Sequence, residues 1–186
     1  MVYKASLEDK FITILEDHKK LIFKIANSYS RNPEERKDLM QEIVLQLWKA
    51  FPDHNSDYAF STWIYRIALN VSISFYRKEI TRKKTVESYK EVVEFTDHET
   101  YRNDQMEQLH KMIGKLNPLE KAVMILYLEG KNYKEMAEIM GITATNISTR
   151  INRIKNKLSS NYQTKNNYNY GSARISEHLE KYRSGA

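Results

Sequence analysis

The chain has 186 residues, 30 Lys+Arg against 24 Asp+Glu for a net charge of +6, and no Cys. That length suits one large or two small domains. The missing thiols exclude a disulfide framework, a thiolate zinc site and a cysteine nucleophile. Five Gly and three Pro are too few for a turn-rich β-sandwich or a Gly-rich phosphate loop. No run approaches the ~18 apolar residues of a membrane span, and Met1–Lys10 lacks the apolar stretch of a secretory signal. The expectation is a soluble, intracellular, mostly helical protein.

From Leu7 to Tyr29 the apolar residues Phe11, Leu15, Leu21, Ile22, Ile25 and Tyr29 fall at helical spacing. Asn32-Pro33-Glu34-Glu35 reads as the next helix start. Asn32 is a capping residue, Pro33 suits the first turn and Glu35 is placed to reach back to the cap. This helix carries Leu39, Ile43, Leu47 and Phe51 on one face and ends at Pro52. After a polar loop, Asp53 to Ala59, a third helix is predicted from Ser61-Thr62, with Ile64, Ile67, Ala68, Val71 and Phe75 as its buried stripe. Three such helices close a small bundle.

From about Val86 the periodicity dissolves. Charge separates the chain in the same place: residues 1–87 carry +3, residues 88–108 carry −4 and residues 109–158 carry +5. The predicted organisation is a helical domain over 1–87, an acidic linker over 88–107, a second helical domain over 108–160 and a tail over 161–186 that is partly disordered. Asp104 and Glu107 are placed to cap a short helix through Gly114. Asn117-Pro118-Leu119-Glu120 repeats the earlier start signal, and Gly130 ends the helix that follows. Asn132 with Glu135 forms a second capping box, opening a helix that stops at Gly141. Thr143 caps the last strong helix, with Ile147, Ile151, Ile154 and Leu158 as its apolar positions. In the tail, Ile175, Leu179 and Tyr182 have the spacing of one short amphipathic helix.

Three constellations carry functional information. Two short helices meeting at Gly141-Ile142-Thr143 predict a helix-turn-helix, whose second helix enters the major groove of DNA. Its outward residues, Thr145, Asn146, Ser148, Thr149, Arg150, Asn152, Arg153 and Lys155, place small polar groups at the start for base edges. Cations follow for phosphates. No acidic residue occurs from Ile142 to Ser160, whereas a merely solvated face mixes both signs. In the second constellation Trp63, Tyr65 and Tyr76 are interleaved with Arg66, Arg77, Lys78, Arg82, Lys83 and Lys84. Rings beside cations suit unpaired bases and a single-stranded backbone, although Trp63 also fits a bundle core. The third is Asp38-Leu39-Met40-Gln41-Glu42, where two carboxylates share a helix face. Read alone, it is a solvated acidic surface.

In order along the chain, DLMQE followed by Leu47-Trp48, then FSTWIYRIALN, then LNPLEKAVMILYLEG and YKEMAEIMGITATNISTRINRIKNKL resemble conserved regions two and four of bacterial sigma factors. The short two-domain layout resembles the extracytoplasmic-function group, over about residues 8–158. The resemblance implies an all-α fold of a region-two bundle and a region-four helix-turn-helix joined by a flexible linker. It implies a cytoplasmic promoter-specificity subunit with core RNA polymerase and promoter DNA as partners, an anti-sigma protein being common in the group, and neither cofactor, metal nor turnover. Asp38, Leu39, Gln41 and Glu42 match the segment that docks on polymerase. Trp63, Tyr65, Arg66 and Asn70 match the part that melts and reads the minus-ten element, and Ser74, Arg77 and Lys78 extend that DNA-binding set. Thr143, Thr145, Asn146, Ser148, Thr149, Arg150 and Arg153 match the helix that reads the minus-thirty-five element.

Three positions depart from the family pattern. Leu69 stands where many relatives carry Arg, Ser74 where an acidic residue is frequent, and Asn132 where Ser or Thr is common. The rival reading is a stand-alone helix-turn-helix regulator that binds duplex DNA without polymerase. An enzyme reading has little support, since His18, His54, His98, His110 and His178 lack ligand spacing and no nucleotide-loop or nucleophile motif occurs.

Overall fold

Ser6 starts the first helix with a reciprocal cap: its hydroxyl accepts from the Asp9 N–H and its own N–H donates to the Asp9 carboxylate. Helix α1 then runs Leu7–Tyr29. The computed structural model describes residues 6–54, 59–86, 112–165 and 179–180, with side chains to Arg82 and Ser160 in the two long helices. Helix α2 spans Pro33–Ala50, its Asn32 oxygen accepting from the Glu35 N–H at 2.8 Å. The Glu35 carboxylate reaches one residue farther back than a capping box requires, accepting from the Arg31 N–H. The α-helix stops at Ala50, and Phe51–Asp53 tighten into a 3-10 turn that absorbs Pro52. Helix α3 covers Phe60–Val86.

Helices α1, α2 and α3 pack pairwise into a bundle. Its core holds Phe11, Ile22, Ile25, Ala26 and Tyr29 from α1, and Leu39, Ile43 and Leu47 from α2. Each fully buried Leu or Ile side chain contributes ~1.5–3 kcal/mol from water exclusion. On α3 the buried stripe is Ile64, Tyr65, Ala68, Leu69, Ser72 and Ile73. The expected stripe was rotated: Ile67, Val71 and Phe75 are only half-buried. Apolar residues lie all around α3, so periodicity did not specify which arc meets α1 and α2. Tyr29 and Tyr76 pack edge to face at 6.4 Å between ring centroids. Burial, and then its Tyr76 neighbour, hold the Tyr29 hydroxyl neutral far above the ordinary range.

By packing, the chain divides into two units, residues 1–97 and 98–186. The expected acidic linker, with the caps at Asp104 and Glu107, lies outside the described residues. In the second unit a helical turn at 112–114 precedes helices α4 (Pro118–Leu128), α5 (Tyr133–Met140) and α6 (Ala144–Lys165). Asn117 and Glu120 make a reciprocal capping box at the start of α4. At its end Gly130 has φ +72°, with Gly130 N–H donating to Tyr127 and Lys131 N–H to Leu126, the paired bonds of a Schellman stop. Helix α4 is buried over its whole last two turns and packs on α5 and α6. Among the described residues there is no strand, and no helix is long and apolar enough to cross a membrane.

At the end of the chain one expectation changes. Residues 161–165 are helical, extending α6 beyond the predicted limit at 160. Leu179 is fully buried in the second unit. Of the predicted terminal helix only residues 179–180 are described.

Lys121 is 1% exposed in α4, and burial pulls its pKa from 10.5 down to about 8. The unfolded chain therefore holds the extra proton between pH 8 and 10.5, and stability rises with pH across that window. Lys121→Met keeps the length without the charge. It is expected to flatten the pH dependence of stability, read from melting curves between pH 7 and 10.5.

Candidate nucleic-acid and partner interfaces

On α2 the burial of Leu39, Ile43 and Leu47 fixes which residues face outward. Asp38, Gln41, Glu42 and Leu45, at i, i+3, i+4 and i+7, form one exposed ridge. Leu39 is 0% exposed and is a core residue, so it cannot itself touch a docked partner in this conformation. Glu42 accepts from the Gln46 amide at 2.7 Å. Grooves flank the ridge on both sides. One, about 690 Å³, runs between α1 and α2 and is lined by Phe11, Met40, Val44, Leu45 and Trp48, with Arg36, Lys37 and Gln41 at its polar edge. The other, about 380 Å³, lies between Glu42, Gln46 and Ala50 of α2 and Ile67, Asn70, Val71 and Ser74 of α3. Sequence reading missed the apolar groove. Its only signal was Leu45 breaking a polar face, since Trp48 was read just as part of a motif.

On α3 the inward arc likewise defines an outward one. Trp63, Ile67, Asn70, Ser74 and Arg77 are spaced by fours and threes along one line, with Arg66 and Lys78 beside it. Asn70, Ser74, Arg77 and Lys78 are exposed. Tyr65 is 4% exposed on the opposite arc. Its ring is part of the bundle core, and the expectation that it meets DNA is corrected. Leu69, 2% exposed, also points inward. The departure from Arg there therefore lies in the core rather than on the outer face.

Trp63 is half-buried in an aromatic cluster. Its ring lies 6.3 Å from Phe51, 6.2 Å from Phe60 and 5.1 Å, edge-on, from His54, which stacks on Phe60 at 4.2 Å. The His54 Nε2 is buried without a hydrogen-bond partner among the described residues. The core reading of Trp63 is thus met in part: the half-buried ring anchors α3 to the Phe51–Asp53 turn.

In the second unit α5 and α6 meet at Gly141-Ile142-Thr143. Gly141 has φ +67°, and Ile142 N–H closes on the Ala137 carbonyl at 3.1 Å. Met136, Ile139, Ile147 and Ile151 are buried. Ile139 takes the place expected of Ala137 and Met140, which are half-buried. Thr143 caps α6 by accepting from the Asn146 N–H. A Cβ at Gly141 would meet nothing within 4 Å, so Gly141→Ala tests backbone strain alone. It is expected to cost about 1 kcal/mol of stability in denaturant titration.

With Ile147, Ile151, Ile154 and Leu158 all at most 1% exposed, the polar residues of α6 are held outward. Thr143, Thr145, Asn146, Thr149, Arg150 and Arg153 line one polar groove of about 510 Å³ that is continued by Asn117 and Glu120. Ser148 is half-buried on the flank, outside this groove. The Arg150 Nε donates to Asn146 Oδ1 at 2.6 Å. Lys157 pairs with Glu120 at 2.7 Å, tying α6 to the start of α4. Among the described residues there is no cluster of metal-ligating side chains.

The fold and surfaces define an all-helical pair of units, one carrying a helix-turn-helix with a cationic, acid-free second helix and the other an outward aromatic–basic helix face. Sigma-70 region 2 matches residues 14–81, and sigma-70 region 4 matches residues 106–158. The chain is 26% identical to the Bacillus subtilis RNA polymerase sigma factor SigV over 154 residues, covering 82% of this chain and 91% of that protein. It is 24% identical to the B. subtilis ECF RNA polymerase sigma factor SigW over 163 residues, with 81% and 87% coverage. In fold it resembles the sigma factor RpoE solved in complex with the anti-sigma factor NepR from Bartonella quintana. That likeness has a TM-score of 0.64 at 21% identity, covering 81% of this chain and 95% of that one. CnrH, solved in complex with the cytosolic domain of CnrY, gives 0.61 at 20%, covering 84% and 89%. The chain belongs to the sigma-70 family of RNA polymerase sigma factors, in the extracytoplasmic-function group. As such it is a polymerase-associated promoter-specificity subunit. The stand-alone regulator reading is not favoured, because it leaves the matched region 2 without a role.

Proposed function

We propose that the two units divide promoter recognition between them, and that the chain acts in the cytoplasm without turnover of its own. Residues 1–87 serve as the polymerase-docking and minus-ten unit, residues 88–107 as the acidic linker, residues 108–160 as the minus-thirty-five unit and residues 161–186 as a tail. The ridge of Asp38, Gln41 and Glu42 docks on a basic helical surface of polymerase, with Leu45 supplying apolar contact. Trp63, Arg66, Asn70, Ser74, Arg77 and Lys78 meet the minus-ten element as it opens. A ring half in solvent suits stacking on an unpaired base, and the cations track its backbone. Thr145, Asn146 and Thr149 read base edges of the minus-thirty-five duplex from the start of α6. Arg150 and Arg153 hold phosphates, with Thr143 and Ser148 at the cap and flank.

The observation that carries this reading is the outward line on α3. Asn70, Ser74 and Arg77 are exposed in line with a half-buried Trp63, and a partly exposed ring in line with a cation suits an unpaired base and its backbone. The test mixes purified chain with core polymerase on genomic DNA and sequences the transcripts. Chain-dependent starts downstream of one shared pair of promoter motifs are expected. Absence of such starts, together with tight duplex binding by the chain alone, would overturn the proposal.

A further inference from the structure

Leu179 and Glu180 lie beyond the region matched to the family and 21 to 22 residues past Leu158 in sequence. Yet Leu179 is 0% exposed, and Glu180 meets the DNA-reading helix. The Tyr127 hydroxyl, at the end of α4, donates to the Glu180 carboxylate. The Lys155 ammonium of α6 donates to the Tyr127 oxygen at 2.9 Å, lies 3.7 Å from Glu180 Oε1, and sits 4.8 Å from the centroid of the Tyr127 ring. Lys155 lies two turns past Ser148 on the same flank of α6, outside the polar groove that Arg150 and Arg153 line.

We propose that Leu179–Glu180 form a clasp that withholds Lys155 from DNA in the free chain. The inference rests on the reading of α6 as the duplex-binding helix. Two parts of the clasp do different work. The Glu180 side chain is 56% exposed, so its ion pair with Lys155 is weak on its own. Burial of Leu179 supplies the holding force, because a leucine removed from water gains far more than an exposed ion pair. The carboxylate then supplies the effect on binding. A phosphate approaching Lys155 meets a like charge already on the ammonium, and the Tyr127 ring and hydroxyl hold that ammonium back against α4. Release of Leu179 removes the carboxylate and leaves the ammonium held by Tyr127 alone, without any change in the helix-turn-helix itself.

The test uses the full chain and a mixed-sequence 20-base-pair duplex, with binding followed by fluorescence anisotropy over a salt series. Glu180→Gln keeps Leu179 and the fold. One recovered phosphate contact steepens the salt dependence by about 0.9 and tightens binding at 0.1 M salt by up to ~8-fold. In a Lys155→Ala background the same Glu180→Gln change should do nothing, since the cation it frees is gone. Leu179→Ala should tighten binding in the same direction while lowering the melting temperature. If Glu180→Gln binds as the parent does, or more weakly, the contact is a structural brace and the clasp is wrong. Arg153→Ala separates this from the underlying reading. Weakened binding by Arg153→Ala with an inert Glu180→Gln overturns the clasp alone, whereas two inert variants overturn both.

Discussion

Asp38→Lys and Glu42→Lys are each expected to abolish binding to core RNA polymerase while the chain stays folded. Both carboxylates are exposed on the outer ridge of α2. Glu42 makes one surface hydrogen bond, to Gln46, and a contact of that kind contributes little to stability. The melting temperature should therefore move by no more than a few degrees. Against a basic partner surface the reversal turns attraction into repulsion, which costs several kcal/mol and lowers affinity by ~100-fold or more. Pull-down on core polymerase beside a melting curve reads both quantities. Parent-like binding by the reversed variants would return the ridge to a plain solvated face. Leu39→Ala supplies the contrast. It removes a fully buried side chain and is expected to cost ~2–5 kcal/mol of stability. Lost binding in that variant would report unfolding rather than a missing contact.

The second large effect is expected on α6. Arg153→Ala removes an exposed cation from the polar groove. It should lower duplex affinity across all sequences and reduce the salt dependence by about one unit. Arg150→Ala should do this and one thing more. Its guanidinium holds Asn146 Oδ1 at 2.6 Å, so its loss also frees a candidate base-reading side chain to turn. Sequence preference should then blur at the base pair Asn146 reads, at ~1–3 kcal/mol of discrimination per good bidentate contact. Salt-series binding to a panel of single-base-pair variants of the minus-thirty-five site separates the two. An unchanged salt slope in Arg153→Ala would show that this arginine does not hold a phosphate.

Local chemistry was readable wherever it acts over three or four residues. The caps at Asn32, Asn117, Asn132 and Thr143 all accept the backbone N–H expected of them. The left-handed glycines fall at 130 and 141. These features depend on one side chain and its own backbone, so no distant contact overrides them. The ridge of α2 and the polar groove of α6 were legible for a related reason. Each helix has one unbroken apolar stripe, Leu39-Ile43-Leu47 or Ile147-Ile151-Ile154-Leu158, and burying it leaves the opposite face outward.

Where a helix is apolar on more than one side, the sequence leaves the choice open. On α3, Ile64, Ile67, Val71, Ile73 and Phe75 offer several possible core arcs, and packing against α1 and α2 selects the one containing Tyr65, Leu69 and Ser72. That selection moves Tyr65 from candidate DNA contact to core and sets Trp63, Asn70, Ser74 and Arg77 on a common outer line. Leu39 is a different case: its own stripe already placed it inside, and only the motif set it among docking residues. Packing decides again for Leu179, which spacing placed on a short amphipathic helix and the fold buries completely. Spacing and caps determined the helices and their capped starts. Which arc of α3 is buried and what the end of the chain touches were decided only by tertiary packing, because water exclusion depends on the surfaces other helices bring and not on the order of residues within one.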